Sequence, residues 1–284
     1  MNNADNGRTI IVPLSGQKIN IFIVWKQMLD EHMNSRELTW RLFLRDFLAG
    51  YKQSMLGVGW IIIVPLLFVG AFIFLNRSGV LNIGETSVPY PLFALTGLSV
   101  WQVFASGIVA CTNCLISSGG LITKINFPKE SLVFSSLAQT MLDFIIRIVP
   151  LAAAFVIFGV SPHWTVLFLP LLLIPLLLLT LGLGFLFSLF NAIVRDIGNA
   201  VSLLMTFLLF VTPVLYPAPD SATFVMLNRF NVPGILVTSI RDFVLTGAMP
   251  RPLSFICSCI VSVAVFVVSW TIFHLTEPIV AERI

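Results

Sequence analysis

The chain has 284 residues, of which 57% are hydrophobic and only 10% charged, against about 25% charged in an ordinary soluble domain. Its 16 basic and 13 acidic residues leave 53–76, 86–123, 131–142, 148–194, 197–219 and 252–276 without a single charge. Five of those six stretches reach the length, about 20 apolar residues, that a membrane-crossing helix needs. A water-soluble enzyme, a nucleic-acid binder and a disordered scaffold are excluded as first readings, and the chain reads as an all-α polytopic membrane protein.

Residues 1–35 read as a cytoplasmic extension, and its first 20 residues are mixed and polar, without the apolar core of a cleavable signal. The segment 36–54 then places Trp40, Phe43, Leu44, Phe47 and Leu48 on one helical face, with Arg41, Arg45 and Lys52 toward the other. That pattern predicts an amphipathic helix lying in the inner interface, its cations drawn to anionic headgroups. Six spans follow within the membrane domain, 36–284: Leu56–Leu75, Leu92–Ile116, Leu132–Val160, Trp164–Phe190, Ala200–Tyr216 and Leu253–Leu275. Pro65, Pro170 and Pro175 sit inside spans, where neighbouring helices must satisfy the freed carbonyls. Between the last two spans, 217–252 carries Leu236, Ile240, Phe243 and Val244 at helical spacing, ended by Gly247. This segment is too short and polar to cross twice, and a pair of short re-entrant helices dipping into the outer leaflet fits it.

Orientation follows from the basic residues. With the N-terminus inside, 11 of them lie on cytoplasmic segments and four, Arg77, Arg229, Arg241 and Arg251, on outer ones. Both termini are then cytoplasmic, and an even number of spans agrees.

Motifs for chemistry are scarce. No Walker A sequence occurs, since none of the five lysines follows a glycine. GxSxG and HExxH are missing too, so no catalytic residue is assigned. Cys111/Cys114 and Cys257/Cys259 lie in apolar runs and read as small buried hydrophobes. His32, His163 and His274 share no ligand spacing, and no metal is assigned. Asp143 is the one carboxylate inside a span, with Arg147 a helical turn on. Such a charge can mark an ion or proton path, but an i, i+4 pair neutralises itself, which favours a structural clamp. The cytoplasmic loop between spans two and three, SSGGLITKINFPKES, is the sharper signal. Gly119 and Gly120 break the helix, and Phe127-Pro128 turns the chain before Lys129 and Glu130. A short charged loop with an exposed aromatic suits docking to a soluble partner, and a plain connector is the other reading.

These residues resemble a family. Arg45-Asp46, Tyr51, Ser54–Gly57, Trp60 and Pro65 look like the entry motif of permeases of polysaccharide ABC exporters, the membrane subunits exporting O-antigen, capsular polysaccharide or teichoic acid. Further matches follow in order. They are Thr96-Gly97-Leu98 with Trp101 and Phe104, Leu121–Lys124 through Phe127-Pro128, Asn191 with Arg195-Asp196, Thr212-Pro213 with Tyr216, then Arg241 and Gly247. One departure is visible. The family commonly reads Asn-Pro before the last outer helix, whereas here Val232 separates Asn231 from Pro233, which puts the local geometry there in doubt.

The resemblance implies half of a transporter in the bacterial inner membrane. Two copies of the chain would form the pathway, and two copies of a separate cytoplasmic ATPase, holding ATP and Mg, would bind beneath. Lys124, Phe127, Pro128, Lys129 and Glu130 would couple to that ATPase. The cargo would be a lipid-linked polysaccharide, an O-antigen-like glycan on a lipid pyrophosphate. Aromatic faces stack on sugar C–H faces without fixing one hydrogen-bond pattern, so Trp60, Trp101, Phe104 and Tyr216 are candidates for the pathway. For Trp101 and Tyr216 an interfacial aromatic belt is the competing reading. Arg41, Arg45 and Lys52 could attract the pyrophosphate or ordinary anionic lipid. Rival functions are an ABC exporter of a small amphipathic lipid or drug, and an ion-coupled secondary transporter centred on Asp143.

Overall fold

The computed structural model describes residues 21–52, 57, 59–79, 84, 86–219 and 221–281. Among these every regular element is helical. In chain order they are α1 (Ile21–Asn34), α2 (Arg36–Lys52), α3 (Gly59–Arg77), α4 (Tyr90–Ser117), α5 (Gly119–Ile122) and α6 (Glu130–Ile157). A 3-10 turn (Trp164–Phe168) leads into α7 (Leu169–Ile193), followed by α8 (Ile197–Val211), α9 (Ala222–Arg229), α10 (Val232–Thr246) and α11 (Pro252–Ala281).

Five helical segments are long and apolar enough to cross a bilayer: α3, α4, α6, the 3-10 turn with α7, and α11. They coincide with five of the six expected spans. The remaining one, α8, has 15 residues, about 22 Å at 1.5 Å per residue, and falls short of a hydrocarbon core about 30 Å thick. Its end is set by Pro213, whose ring disfavours a helical predecessor, so Thr212 turns extended at φ −85° and ψ 135°. Pro170 lies inside the fourth span as expected. It occupies the first turn of α7, where its missing N–H costs nothing.

Helix α4 forms the axis of the bundle, touching α3, α6, α7, α8 and α10. Close approach explains its neighbours. A methyl group on Gly184 of α7 would stand 2.6 Å from Cys111 Cβ of α4, and one on Gly182 would stand 2.9 Å from the Phe266 backbone of α11. With no hydrophobic driving force between helices in lipid, small residues that let backbones meet are what bring α4, α7 and α11 together. Of the cysteines, Cys111 and Cys114 are buried as expected, while Cys257 is exposed and Cys259 half-buried.

Polar side chains fasten the turns. Asn191 is fully buried and donates through Nδ2 to Thr112 O (3.0 Å) and Asn113 Oδ1 (3.1 Å), while its Oδ1 accepts from Gly198 N (2.8 Å). One amide therefore joins α4, α7 and the start of α8. Asn231 caps α10 by accepting from Gly234 N at 3.0 Å, and its Nδ2 donates to Thr212 Oγ1 at 2.8 Å. The displaced proline does not disturb this turn, because Pro233 still falls in the first turn of α10. Gly247 ends α10 in the left-handed region at φ 73°, and a β-carbon there would run into the His163 ring.

The N-terminal elements are more integrated than a free extension. Trp25 of α1 meets Trp270 of α11 edge-on at 5.5 Å, and the His32 ring lies 4.2 Å from that of Phe134. Partial burial lowers the His32 pKa, with Glu130 opposing. In α2, Leu42 is buried toward the bundle, whereas Trp40, Leu44 and Leu48 form an exposed stripe at i, i+4 and i+8. That stripe is the apolar face expected of an interface helix.

Candidate functional site

At one end of the bundle the chain leaves α4, makes the single turn α5, and returns into α6. Residues 123–126 are its exposed tip, with Lys124 and Ile125 facing outward. Ile125 is 55% exposed. The rest of the loop points inward, which corrects the sequence expectation for three residues. Phe127, expected as an exposed docking aromatic, is 4% exposed and belongs to a core with Leu132 and Phe273. Lys129 and Glu130 are buried as well, and Pro128 is half-buried.

What holds the buried charges comes from the far end of the chain. Glu277 of α11 accepts from the Lys129 backbone N–H at 3.0 Å and lies 3.4 Å from its Nζ. His274, also on α11, donates through Nδ1 to Glu130 Oε1 at 2.8 Å. These partners are separated by 148 and 144 residues in sequence. Only the helical spacing of His274 and Glu277 could have hinted at them. Donor atoms of Glu130, His274 and Glu277 lie within 4.8 Å of one another, a spacing open to a cation, but Lys129 already supplies the positive charge there. On the other side, Arg45 of α2 pairs with Asp46 at 2.7 Å and reaches Ser118, the residue between α4 and α5, at 3.5 Å. The loop is thus a small exposed tip whose two roots are fastened to α2 and to α11. Beside it, Gly119, Gly120, Thr123 and Arg195 help line an open cleft of about 420 Å³.

The other candidate residues do not converge on this site. Arg41 is exposed and pairs with Glu37 at 2.6 Å. Lys52 closes α2, and its side chain lies outside the described residues. Trp60 is exposed near the start of α3. Trp101 and Phe104, both 1% exposed, pack against each other at 5.7 Å in the core of this conformation. Tyr216 is half-buried, donating its hydroxyl to Phe210 O at 2.6 Å. Asp143 accepts from Gln139 Nε2 at 3.4 Å, and Arg147 is buried one turn further along α6.

The family model described as ABC-2 type transporter matches residues 37–245, from the start of α2 to the end of α10. The chain belongs to that family. It is therefore the membrane-embedded, multi-pass subunit of an ABC transporter. The permease is similar to the O-antigen export system permease protein RfbA of Klebsiella pneumoniae, 28% identical over 210 residues that cover 72% of this chain and 79% of that protein. It is also 27% identical to the protein of the same name from Myxococcus xanthus, over 266 residues covering 91% of this chain and 99% of that one.

Proposed function

We propose that this permease exports a lipid-linked polysaccharide from the cytoplasm across the bacterial inner membrane, as a homodimer driven by two copies of a separate ATPase. The observation that carries the reading is the near end-to-end similarity to an O-antigen export permease. In this reading both termini are cytoplasmic, as the distribution of basic residues supports. Helix α8 with 212–216 makes a sixth crossing, and α9 and α10 dip into the outer leaflet.

The loop tip is the proposed ATPase contact. Lys124 and Ile125 offer one charge and one apolar side chain to the partner, and the cleft beside Arg195 accepts the partner's projecting element. Phe127, Pro128, Lys129 and Glu130 act from inside, as roots that pass a push on the tip to α6 and α11. Arg45 passes it to α2 through Ser118. ATP and Mg stay with the ATPase, and this subunit supplies no catalytic group. Arg41, Arg45 and Lys52 form the headgroup-level cationic face that meets the lipid pyrophosphate or anionic lipid. Trp60 and Tyr216 are the pathway aromatics already accessible, whereas Trp101 and Phe104 would join them only when helices part. Asp143 and Arg147 serve as an internal clamp of α6.

Affinity purification of the tagged permease from its native cells tests this. A nucleotide-binding subunit should copurify in about equal amount, and reconstituted export should stop when ATP is removed. Vectorial glycan movement by the permease alone in vesicles would overturn the reading.

A further inference from the structure

At the opposite end of the bundle from the loop tip, the start of α4, the segment after α8, α9 and α10 surround a cleft of about 400 Å³. That volume lies in the lower part of the roughly 300–1,000 Å³ range of small-molecule sites. Its lining mixes two chemistries. Phe93 and Phe224 supply flat apolar faces, and Ser239, Arg241, Asp242 and Arg251 supply polar groups.

The polar groups are built in. Arg241 is 4% exposed, and its Nη1 donates to Pro213 O at 2.8 Å and Val214 O at 3.3 Å. Its Nε donates to Asp242 Oδ1 at 2.9 Å, and its Cζ lies 3.8 Å from the centre of the Phe93 ring. The guanidinium is therefore immobilised, yet Nη2 makes no hydrogen bond among the described residues. Burial lowers its pKa, and Asp242 opposes that shift. Ser239 is 5% exposed, and its Oγ likewise has no partner among the described residues. Serines and threonines in helices commonly donate back to the preceding turn, as the neighbouring Thr238 does to Gly234 O at 2.8 Å. Ser239 Oγ and Arg241 Nη2, carried by otherwise buried side chains, stay open to this cleft and can hydrogen-bond an occupant there.

We infer that this cleft is a sugar-ring subsite, holding a pyranose of the exported chain as it leaves the bundle. The inference rests on the polysaccharide-export reading. Phe93 is covered on one side by Arg241, so Phe224 is the face available to a ring's C–H groups. Ser239 Oγ and Arg241 Nη2 meet ring hydroxyls, and Asp242 accepts from one. A ring held at this end keeps the emerging chain from sliding back between power strokes.

Saturation-transfer NMR on the permease–ATPase complex in lipid nanodiscs, with maltotriose and mannotriose as probes, tests the subsite. Transfer to ring protons is expected from the wild type. Phe224→Ala and Ser239→Val should each weaken it about fivefold, the ratio set by ~1 kcal/mol, while an unchanged Tm shows that the fold persists. In cells lacking their own permease, the same variants should lower surface glycan relative to wild type. If wild type fails to restore surface glycan, the export reading falls. If wild type restores it and both variants match it in glycan amount and in saturation transfer, the subsite is overturned.

Discussion

Helices α3 and α4 are consecutive, both apolar and both long enough to cross a membrane, yet they are used in opposite ways. Most of α4 is buried, while α3 buries only Pro65 and Val69, although α3 is the more apolar of the two. The difference lies in the small and polar residues. Along α4, Thr96, Gly97, Ser99, Ala105, Gly107 and Thr112 are buried and let neighbouring helices approach. Along α3, Leu66, Leu67 and Phe74 face outward, and a methyl group on Gly70 would meet nothing within 4 Å. In a bilayer, lipid tails satisfy a leucine as well as a protein core does, so apolarity measures insertion and not burial. The same contrast appears within α8. Gly198, Val201, Met205 and Leu209 form its buried stripe, while Leu203, Phe207 and Phe210 are left outward.

If that contrast is right, mutations should divide by helix. The largest effect is expected for Phe104→Ala on α4, about 3–5 kcal/mol from the lost contacts and the cavity, read as a lower midpoint in thermal unfolding of the purified permease. A loss of glycan transport with an unchanged midpoint would instead place Phe104 on the pathway. Next comes Gly182→Val. Its added carbons meet the α11 backbone, overpacking costs about 1–3 kcal/mol, and cysteine crosslinks placed across α7 and α11 should weaken. Asn191→Leu leaves the buried Gly198 N–H at the start of α8 without its acceptor and should cost about 1–3 kcal/mol, with amide exchange at Gly198 rising as the check. Phe74→Ala and Gly70→Ala on α3 should stay within about 0.5 kcal/mol. If either matches Phe104→Ala, α3 is covered by protein in the assembled transporter.

A small acid-side effect belongs to the rim between these extremes. His32 has its pKa lowered from 6.5 by burial. Below pH 6.5 the unfolded chain therefore binds more protons at this position than the folded one, and stability declines as the pH falls toward the folded value. Replacing it, His32→Phe, should remove that decline, measured as the wild-type minus variant midpoint between pH 7 and pH 5.

Much of this architecture was legible without coordinates. Charge-free runs marked the crossings, Gly247 marked the stop of α10, and the glycine pair marked the break after α4. The α2 pattern was legible in part. Its exposed stripe of Trp40, Leu44 and Leu48 follows from spacing, but the inward turn of Leu42 does not. Around the loop the sequence misled, because Lys129 and Glu130 are charged and Phe127 sits beside a proline in a short charged turn. Their burial depends on His274 and Glu277, which lie more than 140 residues away, a distance at which no local pattern carries information. Trp101 and Phe104 were equally ambiguous, since an aromatic in a span can face lipid, a pathway or a core.

The amino-acid order alone determined that this chain enters a bilayer and does so as helices. A backbone in hydrocarbon must satisfy its own hydrogen bonds, and an apolar run of about 20 residues leaves few other solutions. Tertiary structure decided which side of each helix faces the protein, which charges are paired, and which part of the loop is left outside. Those choices rest on backbone approach at a few glycines and on polar partners far apart in the chain, where the gain in burying another leucine is close to zero.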